Sequence, residues 1–496
     1  MTSANNETMT GGELIARMLQ AEGVEVVFGI IDGTYLQLTK GLRDLGIRLI
    51  TPRHETSAVH MAGAYARTTG RLGVCIASNG PGVANALPGV AVENGEGNRV
   101  LLITSSRRTG IIRPDRGGTF QHFDQVETIR PMAKWASGVD SFDRIAELMR
   151  RAFRESFRGR PGVVHLDVPE DLTNGELEVT PAMLQRPEQY RRTQPIAAAA
   201  AQVRDAADLL CDSGLAMIHA GSGIGQSHAS DLLLELAGML NAPVTTSWAG
   251  RGAIAETSPF AVPMIHIELN NRVRCEADVV LSLGTRFGET DWWGKPPYWR
   301  RPSEQRHVQV DIDEQILGLN KPVDVAVLAD IRCFLEALVD ELKQRDLTAM
   351  RAKQEAWLTQ INAARESASI RRRCLPGDRR REHRGLGQQL SRDPAPPQCA
   401  LDLQVWDARR GAIAGARREG GVPGPAGLLH SRRRSDGFPS PGDRNRDPQR
   451  PARDLRRDLR SSVGNGQAHA TNHIEAGRNA AAQARPCGGI DQRRSR

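Results

Sequence analysis

Short apolar runs alternate with amphipathic helical segments through most of residues 10–345, and this alternation constrains the fold more than any other feature of the sequence. The first helical segment carries its apolar side chains at helical spacing, at Leu14, Ile15, Met18 and Leu19. A run rich in β-branched residues follows at 24–30. Strands that alternate with helices of this length predict a parallel sheet covered by helices on both faces.

The alternation falls into two blocks, which predicts an α/β protein with two doubly wound parallel-sheet domains. The first block occupies residues 1–172 and ends on the strand pattern V-V-H-L-D-V. Residues 173–195 are polar and contain prolines, so they are predicted to form a linker. The second block occupies residues 196–345, and residues 346–370 continue as a polar helical connector.

The composition changes sharply near residue 370. Residues 371–496 contain 27 Arg, no Lys and 13 acidic residues, a net charge of +14, whereas residues 1–370 carry a net charge of −6. The basic segment has no long apolar run and almost no aromatic side chains. Such a segment cannot bury enough apolar surface to offset the entropy lost on ordering. We therefore predict a disordered, Arg-rich tail.

The most informative motif lies in the first domain. Residues 53–70 read R-H-E-T-S-A-V-H-M-A-G-A-Y-A-R-T-T-G, followed by G-V-C at 73–75 and the turn N-G-P-G at 79–82. The string F-Q-H-F-D begins later, at Phe120. In this order and at this spacing, the segments resemble the pyrimidine-binding domain of acetolactate synthases and related thiamine-diphosphate-dependent enzymes.

The resemblance implies how the first domain would hold and activate the cofactor. Glu55 and Gln121 correspond to catalytic positions, and the implied cofactor-binding residues are Ile30, Gly33, Glu55, Pro81, Asn85, Phe120 and Gln121. A carboxylate hydrogen-bonded to N1′ of the aminopyrimidine ring favours its imino form, which then removes the C2 proton of the thiazolium ring. Taken alone, Glu55 would also fit a first-turn carboxylate favoured by the helix dipole.

The second block resembles the central domain of the same family. Its glycine turns and late strand imply a nucleotide or FAD site formed by Gly221, Ser222, Gly223, Thr285, Arg286, Asp311 and Asp313. A glycine turn before a helix is a generic phosphate cradle. FAD, another nucleotide and an empty domain therefore all stay open.

Members of this family carry a third domain that binds the diphosphate. It is marked by G-D-G followed by N-N, whose side chains hold Mg²⁺. The resemblance thus implies Mg²⁺ as a cofactor, but residues 371–496 contain neither motif and we identify no metal ligand in the chain.

The composition of residues 371–496 has two explanations. Arg without Lys, with abundant Gly, Pro and Ala, is typical of a GC-rich gene read out of frame, so we predict a frameshift between about Ser367 and Cys374. Translation of the 3′ part of the gene in the other two frames tests this prediction. The alternative is a basic arm that binds nucleic acid, which the dispersed arginines and the scarcity of aromatic residues disfavour.

The sequence therefore predicts an acetolactate synthase-like transferase that decarboxylates 2-oxo acids and joins or releases the aldehyde unit. The implied pathway is branched-chain amino acid biosynthesis, and the implied assembly is a homodimer or homotetramer, since active sites of the family form between subunits. Two alternatives remain: a related 2-oxo acid decarboxylase or C–C lyase, and a catalytically inactive truncated or frameshifted member.

The location is predicted from signals that the sequence lacks. No secretion signal or membrane-spanning run is recognisable, and the cysteines are scattered without metal-ligand spacing. We therefore expect a cytoplasmic protein that binds neither membranes nor nucleic acid.

Overall fold

Two parallel sheets, each covered by helices, form the part of the chain that a computed structural model describes, residues 7–373 with side chains up to residue 368. The predicted α/β class with two parallel-sheet domains is confirmed. The predicted tail lies outside the described residues beyond position 373. Among the helices of the described residues, none is long and apolar enough to cross a membrane.

The first domain is built on a sheet of six parallel strands in the order β3-β2-β4-β5-β7-β6. The strands of this domain are β1 (Glu7–Thr10), β2 (Val26–Gly29), β3 (Arg48–Ile50), β4 (Gly73–Ala77), β5 (Val100–Ser106), β6 (Trp135–Gly138), β7 (Val163–Pro169) and β8 (Glu176–Val179). The helices are α1 (Gly11–Ala21), α2 (Leu36–Asp44), α3 (Glu55–Thr69), α4 (Pro81–Glu96), α5 (Thr109–Ile112), α6 (Gln125–Ile129), α7 (Arg144–Phe157) and α8 (Glu170–Asn174).

The predicted linker at 173–195 contains an additional strand. Its residues Glu176–Val179 form β8, which pairs antiparallel with β1 at the edge of the first domain. The strand has four residues, too few for its alternating pattern to stand out from the polar surroundings.

Alternate side chains of the central strands face opposite sides of the first sheet. In β4, Val74 and Ile76 pack in a core that includes α1 and α7, whereas Cys75 and Ala77 pack in a second core with α3 and α4. Because a strand buried on both faces needs apolar residues throughout, the predicted strands read as continuous apolar runs. The arrangement places α3 and α4 side by side on one face, where they pack against each other.

The second domain is built on five parallel strands in the order β10-β9-β11-β12-β13. These strands are β9 (Ala216–Ala220), β10 (Val244–Thr246), β11 (Val279–Leu283), β12 (Arg306–Asp311) and β13 (Val325–Leu328). The helices are α9 (Ala200–Cys211), α10 (Gly223–Gln226), α11 (Ser230–Leu240), α12 (Ile267–Glu276), α13 (Ile331–Leu342) and α14 (Thr348–Arg373). The pattern had not indicated β13, a four-residue strand.

The helix α14, which begins in the predicted connector, packs against the second domain. Trp357 and Ile361 are buried in a core with residues of α12 and β11. Gln354 Nε2 donates to the carbonyl of Ala216 at 2.8 Å. One face of α14 is therefore buried on the second domain between Met350 and Ile361, although most of the helix surface is polar.

Candidate active site

The N-terminal ends of α3 and α4 bring Glu55 and Asn85 together. The His54 side chain caps α3, because its Nδ1 accepts a hydrogen bond from the Thr56 N–H at 3.2 Å, and an acidic residue in the first turn is favoured by the helix dipole. Asn85 Nδ2 donates to Glu55 Oε2 at 3.0 Å, and the Thr56 hydroxyl donates to the Asn85 carbonyl. The amide thus fixes one oxygen of a half-buried carboxylate.

The turn that precedes α4 has a backbone that requires glycine. Gly80 has φ 64° and ψ −108°, and a Cβ there would lie 2.3 Å from the carbonyl oxygen of Gln121. A Cβ at Gly82 would lie 2.6 Å from the Ser78 hydroxyl and 3.4 Å from Glu55 Oε1. These two glycines therefore allow the turn to pass close to Gln121 and leave the space beside Glu55 Oε1 open. Pro81 starts α4 at its first, exposed position.

The structure places Phe120 and Gln121 beside this turn with their side chains exposed. Phe120 is 71% exposed, and Gln121 has a left-handed backbone with φ 56°. The Gln121 carbonyl, rather than its side chain, meets the turn, accepting a hydrogen bond from Asn79 Nδ2 at 3.4 Å. The catalytic role of the Gln121 side chain stays a prediction.

The loop after β2 is anchored by the buried side chain of Tyr35. The Tyr35 hydroxyl donates to the carbonyl of Ile30, and burial, together with the carboxylates of Asp32 and Glu55, raises the pKa of Tyr35. Gly33 is exposed and starts a short 3-10 turn that the Asp32 side chain caps. The Tyr35 phenol thus holds the Ile30 carbonyl, and the negative charge of Glu55 acts on the same phenol.

A buried polar network supports the glycine turn from behind, and we had not identified it from the sequence. Gln125 Oε1 accepts from the Gly80 N–H at 2.7 Å, and Gln125 Nε2 donates to Asp167 Oδ1 at 2.7 Å. The Ser105 hydroxyl accepts from the Asn79 N–H at 3.0 Å. Burial raises the pKa of Asp167, although hydrogen bonds from hydroxyl and amide groups oppose that shift. The available signal was the polar end of a buried strand, T-S-S in β5.

The predicted nucleotide turns of the second domain pack closely on one another. A Cβ at Gly221 would lie 2.0 Å from the Gly284 carbonyl oxygen, and one at Gly223 would lie 2.8 Å from Gly284 Cα. Contact between the two turns is therefore sufficient to explain these glycines. Ser222 is half-buried at the start of α10, and the buried Thr285 follows β11.

Three charged residues assigned to the nucleotide have partners within the protein. Arg286 donates from a terminal guanidinium nitrogen to the Gly95 carbonyl at 3.2 Å, and Asp313 Oδ2 accepts from the Arg160 N–H at 3.1 Å. Asp311 Oδ1 accepts from the Asp313 N–H at 3.0 Å, and burial raises the pKa of Asp311 to about 6. Each of these three groups is thus engaged within the protein, and FAD or nucleotide binding stays a prediction.

A metal site is the part of the expected cofactor machinery that the described residues do not supply. Within residues 7–368, no three His, Cys, Asp or Glu side chains come together as a group that could hold a metal ion. The Mg²⁺ expected from the family resemblance therefore stays a prediction, for which the described part of the chain provides no ligand group.

Comparison with known proteins identifies both domains. Residues 9–128 match the N-terminal TPP-binding domain of thiamine pyrophosphate enzymes, and residues 203–338 match the central domain of the same enzymes. TPP is thiamine diphosphate under its other name. The first match includes Glu55 and Asn85, and the second includes the turns described above.

Several curated proteins are similar to this chain over most of its length. A probable acetolactate synthase large subunit from Methanocaldococcus jannaschii is 32% identical over 362 residues, 71% of this chain and 59% of that protein. A probable 2-ketoarginine decarboxylase from Pseudomonas aeruginosa is 31% identical over 72% of this chain and 63% of that protein. Human 2-hydroxyacyl-CoA lyase 1 is 29% identical over 68% of this chain and 57% of that protein.

The chain spans about three-fifths of the length of the relatives it matches. The two matched domains follow one another in the order in which the sequence resemblance had placed them. The chain therefore belongs to the family of thiamine pyrophosphate enzymes, with their N-terminal and central domains.

Proposed function

We propose that this chain binds the aminopyrimidine ring of thiamine diphosphate at Glu55 and takes part in an acetolactate synthase-like reaction on 2-oxo acids. The observation that supports this most is the pair of Glu55 and Asn85, set beside a turn whose glycines leave room for a flat ring. The space beside Glu55 Oε1 would be filled by a Cβ at Gly82, so the residues present fit a ring at this position.

The residues have distinct tasks in the proposed reaction. Thiamine diphosphate, when bound, supplies the electron sink that decarboxylation of a 2-oxo acid requires. Glu55 Oε1 would share a proton with the ring nitrogen of the cofactor. The Asn85 amide, bonded to Oε2, prevents the carboxylate from rotating away from that position. The buried Gln125–Asp167 network holds the backbone of Gly80, and with it the turn that lines the ring.

The remainder of the proposal extends beyond the described residues. On the basis of family membership, we further propose a 2-oxo acid as substrate, Mg²⁺ with the diphosphate group, and a homodimer or homotetramer as the assembly. The relatives are named as a synthase, a decarboxylase and a lyase, so the resemblance does not select among these reactions. A related 2-oxo acid decarboxylase or C–C lyase is therefore the second candidate.

Calorimetry of the full chain with thiamine diphosphate and MgCl₂ tests the cofactor site. We expect micromolar binding, and we expect Glu55→Gln to weaken it about 10- to 100-fold because one charge-assisted hydrogen bond is lost. Glu96→Gln, which alters an acidic residue at the other end of α4, is the matched control and should bind like the unaltered chain. Absence of binding, or equal binding by Glu55→Gln, would refute the proposed site and favour an inactive family member.

Incubation with pyruvate tests the reaction class. Formation of acetolactate supports the synthase, and acetaldehyde with CO₂ but no acetolactate supports the decarboxylase. NMR in D₂O can also measure exchange of the C2 proton of the bound cofactor. If the cofactor binds but does not exchange this proton, a catalytic role for Glu55 would be contradicted.

A further inference from the structure

Two helices run from the candidate active site to the second domain. The helix α3 starts at Glu55 and ends at Thr69, and α4 carries Asn85 in its second turn and ends at Glu96. With 15 and 16 residues, the helices are about 22 and 24 Å long at about 1.5 Å per residue. Their C-terminal ends therefore lie far from the carboxylate and amide that meet at their N-terminal ends.

The second domain donates hydrogen bonds to the C-terminal end of α4 from two different turns. Arg286, after β11, donates to the Gly95 carbonyl at 3.2 Å. Gln226, at the end of α10, donates through Nε2 to the Gly97 carbonyl at 2.9 Å. Gly97 is the left-handed cap of α4, so both bonds reach the last turn of the helix.

Arg160 strengthens the same junction from the first domain. Its guanidinium donates to the Asn94 carbonyl at 3.3 Å and to the Gly95 carbonyl at 2.7 Å, while its backbone N–H donates to Asp313 Oδ2 at 3.1 Å. Burial and the nearby Arg286 guanidinium lower the pKa of Arg160. Two guanidinium groups thus converge on one helix end, near the acidic residues of the second domain.

The end of α3 receives a contact from a third residue of the second domain. His228 Nε2 lies 3.3 Å from the Thr69 carbonyl, and a Cβ at Gly70, the left-handed cap of α3, would lie 2.7 Å from the same nitrogen. The His228 backbone is itself left-handed, with φ 50°, and its carbonyl accepts a hydrogen bond from Arg332. The imidazole is therefore held across the cap.

Donors at these positions satisfy a general requirement of helices. The last four carbonyl groups of a helix lack intrahelical partners, and they carry the negative end of the helix dipole. When another domain supplies cationic or amide donors, these donors satisfy the terminal carbonyls and also fix the position of the helix end. The second domain thus fixes the far ends of the same two helices that present Glu55 and Asn85.

We propose that Arg286, Gln226 and His228, here called the interdomain clasp, are positioning residues that set the relation between Glu55 and Asn85 through α3 and α4. The inference rests on the proposed function only in taking Glu55 and Asn85 as cofactor-binding residues. It also assigns to Arg286 a role in holding the two domains together that does not depend on a nucleotide.

Hydrogen exchange of the full chain, measured by mass spectrometry without added ligand, tests the clasp. The test variant is the double substitution Arg286→Ala and Gln226→Ala, and Arg286→Lys is the conservative variant that keeps a donor. Arg251→Ala is the control, because Arg251 is exposed and pairs with Glu256 within the second domain.

We expect exchange in the first two turns of α3 and α4, residues 55–62 and 81–88, to become about tenfold faster in the double variant. Arg286→Lys and Arg251→Ala should exchange like the unaltered chain. Unchanged protection in β11 and β12 would show that the double variant remains folded.

Faster exchange confined to residues 94–98, with the first turns unaffected, would refute the positioning role. Loss of protection throughout the chain would also count against it, because the residues would then be needed for folding rather than for placing the two helices. The exchange experiment needs no cofactor. Failure of thiamine diphosphate to bind would therefore refute the proposed function without affecting the test of the clasp.

Discussion

The buried carboxylate of Glu93 joins α3 to α4 and can be tested by substitution. Glu93 is 4% exposed, its Oε1 lies 2.6 Å from His60 Nδ1, and its Oε2 accepts from Asn98 Nδ2. The space for this carboxylate exists because Gly63 in α3 has no side chain, since a Cβ there would lie 1.9 Å from Glu93 Oε2. Glu93→Ala removes the acceptor from two partners, whereas Gly63→Ala forces a methyl group against the carboxylate.

The effect of Gly63→Ala on the free energy of unfolding should change sign when Glu93 is replaced by alanine. A hydrogen bond to a charged group contributes about 1.5–3 kcal/mol, so Glu93→Ala should lower the free energy of unfolding by about 3–5 kcal/mol. Gly63→Ala alone should lower it by about 1–2 kcal/mol, because overpacking outweighs the better helix propensity of alanine. In the Glu93→Ala background the obstruction is gone, so Gly63→Ala should instead raise stability by about 1 kcal/mol.

Urea unfolding followed by far-UV circular dichroism measures this cycle on the unaltered chain, the two single variants and the double variant. Glu96→Ala is the matched control on the same helix, since its ion pair with Arg67 is partly exposed and should contribute less than about 1 kcal/mol. If Gly63→Ala shifts stability in the same direction in both backgrounds, the steric account of this pair is wrong.

Three further substitutions have outcomes that follow from the structure. Burial raises the pKa of Asp311 from 3.8 to about 6, so this group adds stability as the pH falls from 6 to 4. Asp311→Asn should therefore raise the unfolding free energy at pH 7.5 by about 1–3 kcal/mol, and equal stability in urea at that pH would contradict this. Burial lowers the pKa of Lys321 to about 8, and its Nζ has no hydrogen-bond partner among the residues that the structure describes. Lys321→Met should therefore raise Tm in calorimetry at pH 7, an advantage that fades between pH 8 and 10.5. Gly80→Ala should lower the free energy of unfolding by at least about 2 kcal/mol and abolish thiamine diphosphate binding. Gly95→Ala should do neither, because no atom of the described residues lies within 4 Å of a Cβ added there.

Local periodicity accounts for what could be predicted of the fold. In the sequence, the amphipathic spacing of residues 331–342 predicts a helix, and so does the Ala-rich segment 55–69 that Gly70 closes. The structure has helices with these bounds, Ile331–Leu342 and Glu55–Thr69. The strands β1, β6, β8 and β13 escaped prediction because each has only four residues, too few to establish a period. The packing of α14 on the second domain was not predicted for another reason. Its few buried residues are widely spaced in a largely polar sequence.

The candidate site was predicted in part for a different reason. Glu55 and Asn85 were chosen by resemblance to a family, and the structure brings their side chains to 3.0 Å across 30 residues of sequence. The network of Gln125 and Asp167 was missed, because its members lie 42 residues apart and nothing in their separate surroundings indicates that they meet.

The sequence by itself determined the α/β class and the order of its elements, because backbone periodicity and capping depend on residues within one or two turns of each other. It also singled out Glu55, because that residue lies within a motif read along the chain. Only the tertiary structure decided which polar groups became partners. Glu93 is one of several acidic residues until α3 packs beside it with Gly63 at the point of contact, and Arg286 meets Gly95 only where two domains join. Such pairs depend on distance in space, which the periodic pattern of one segment does not contain.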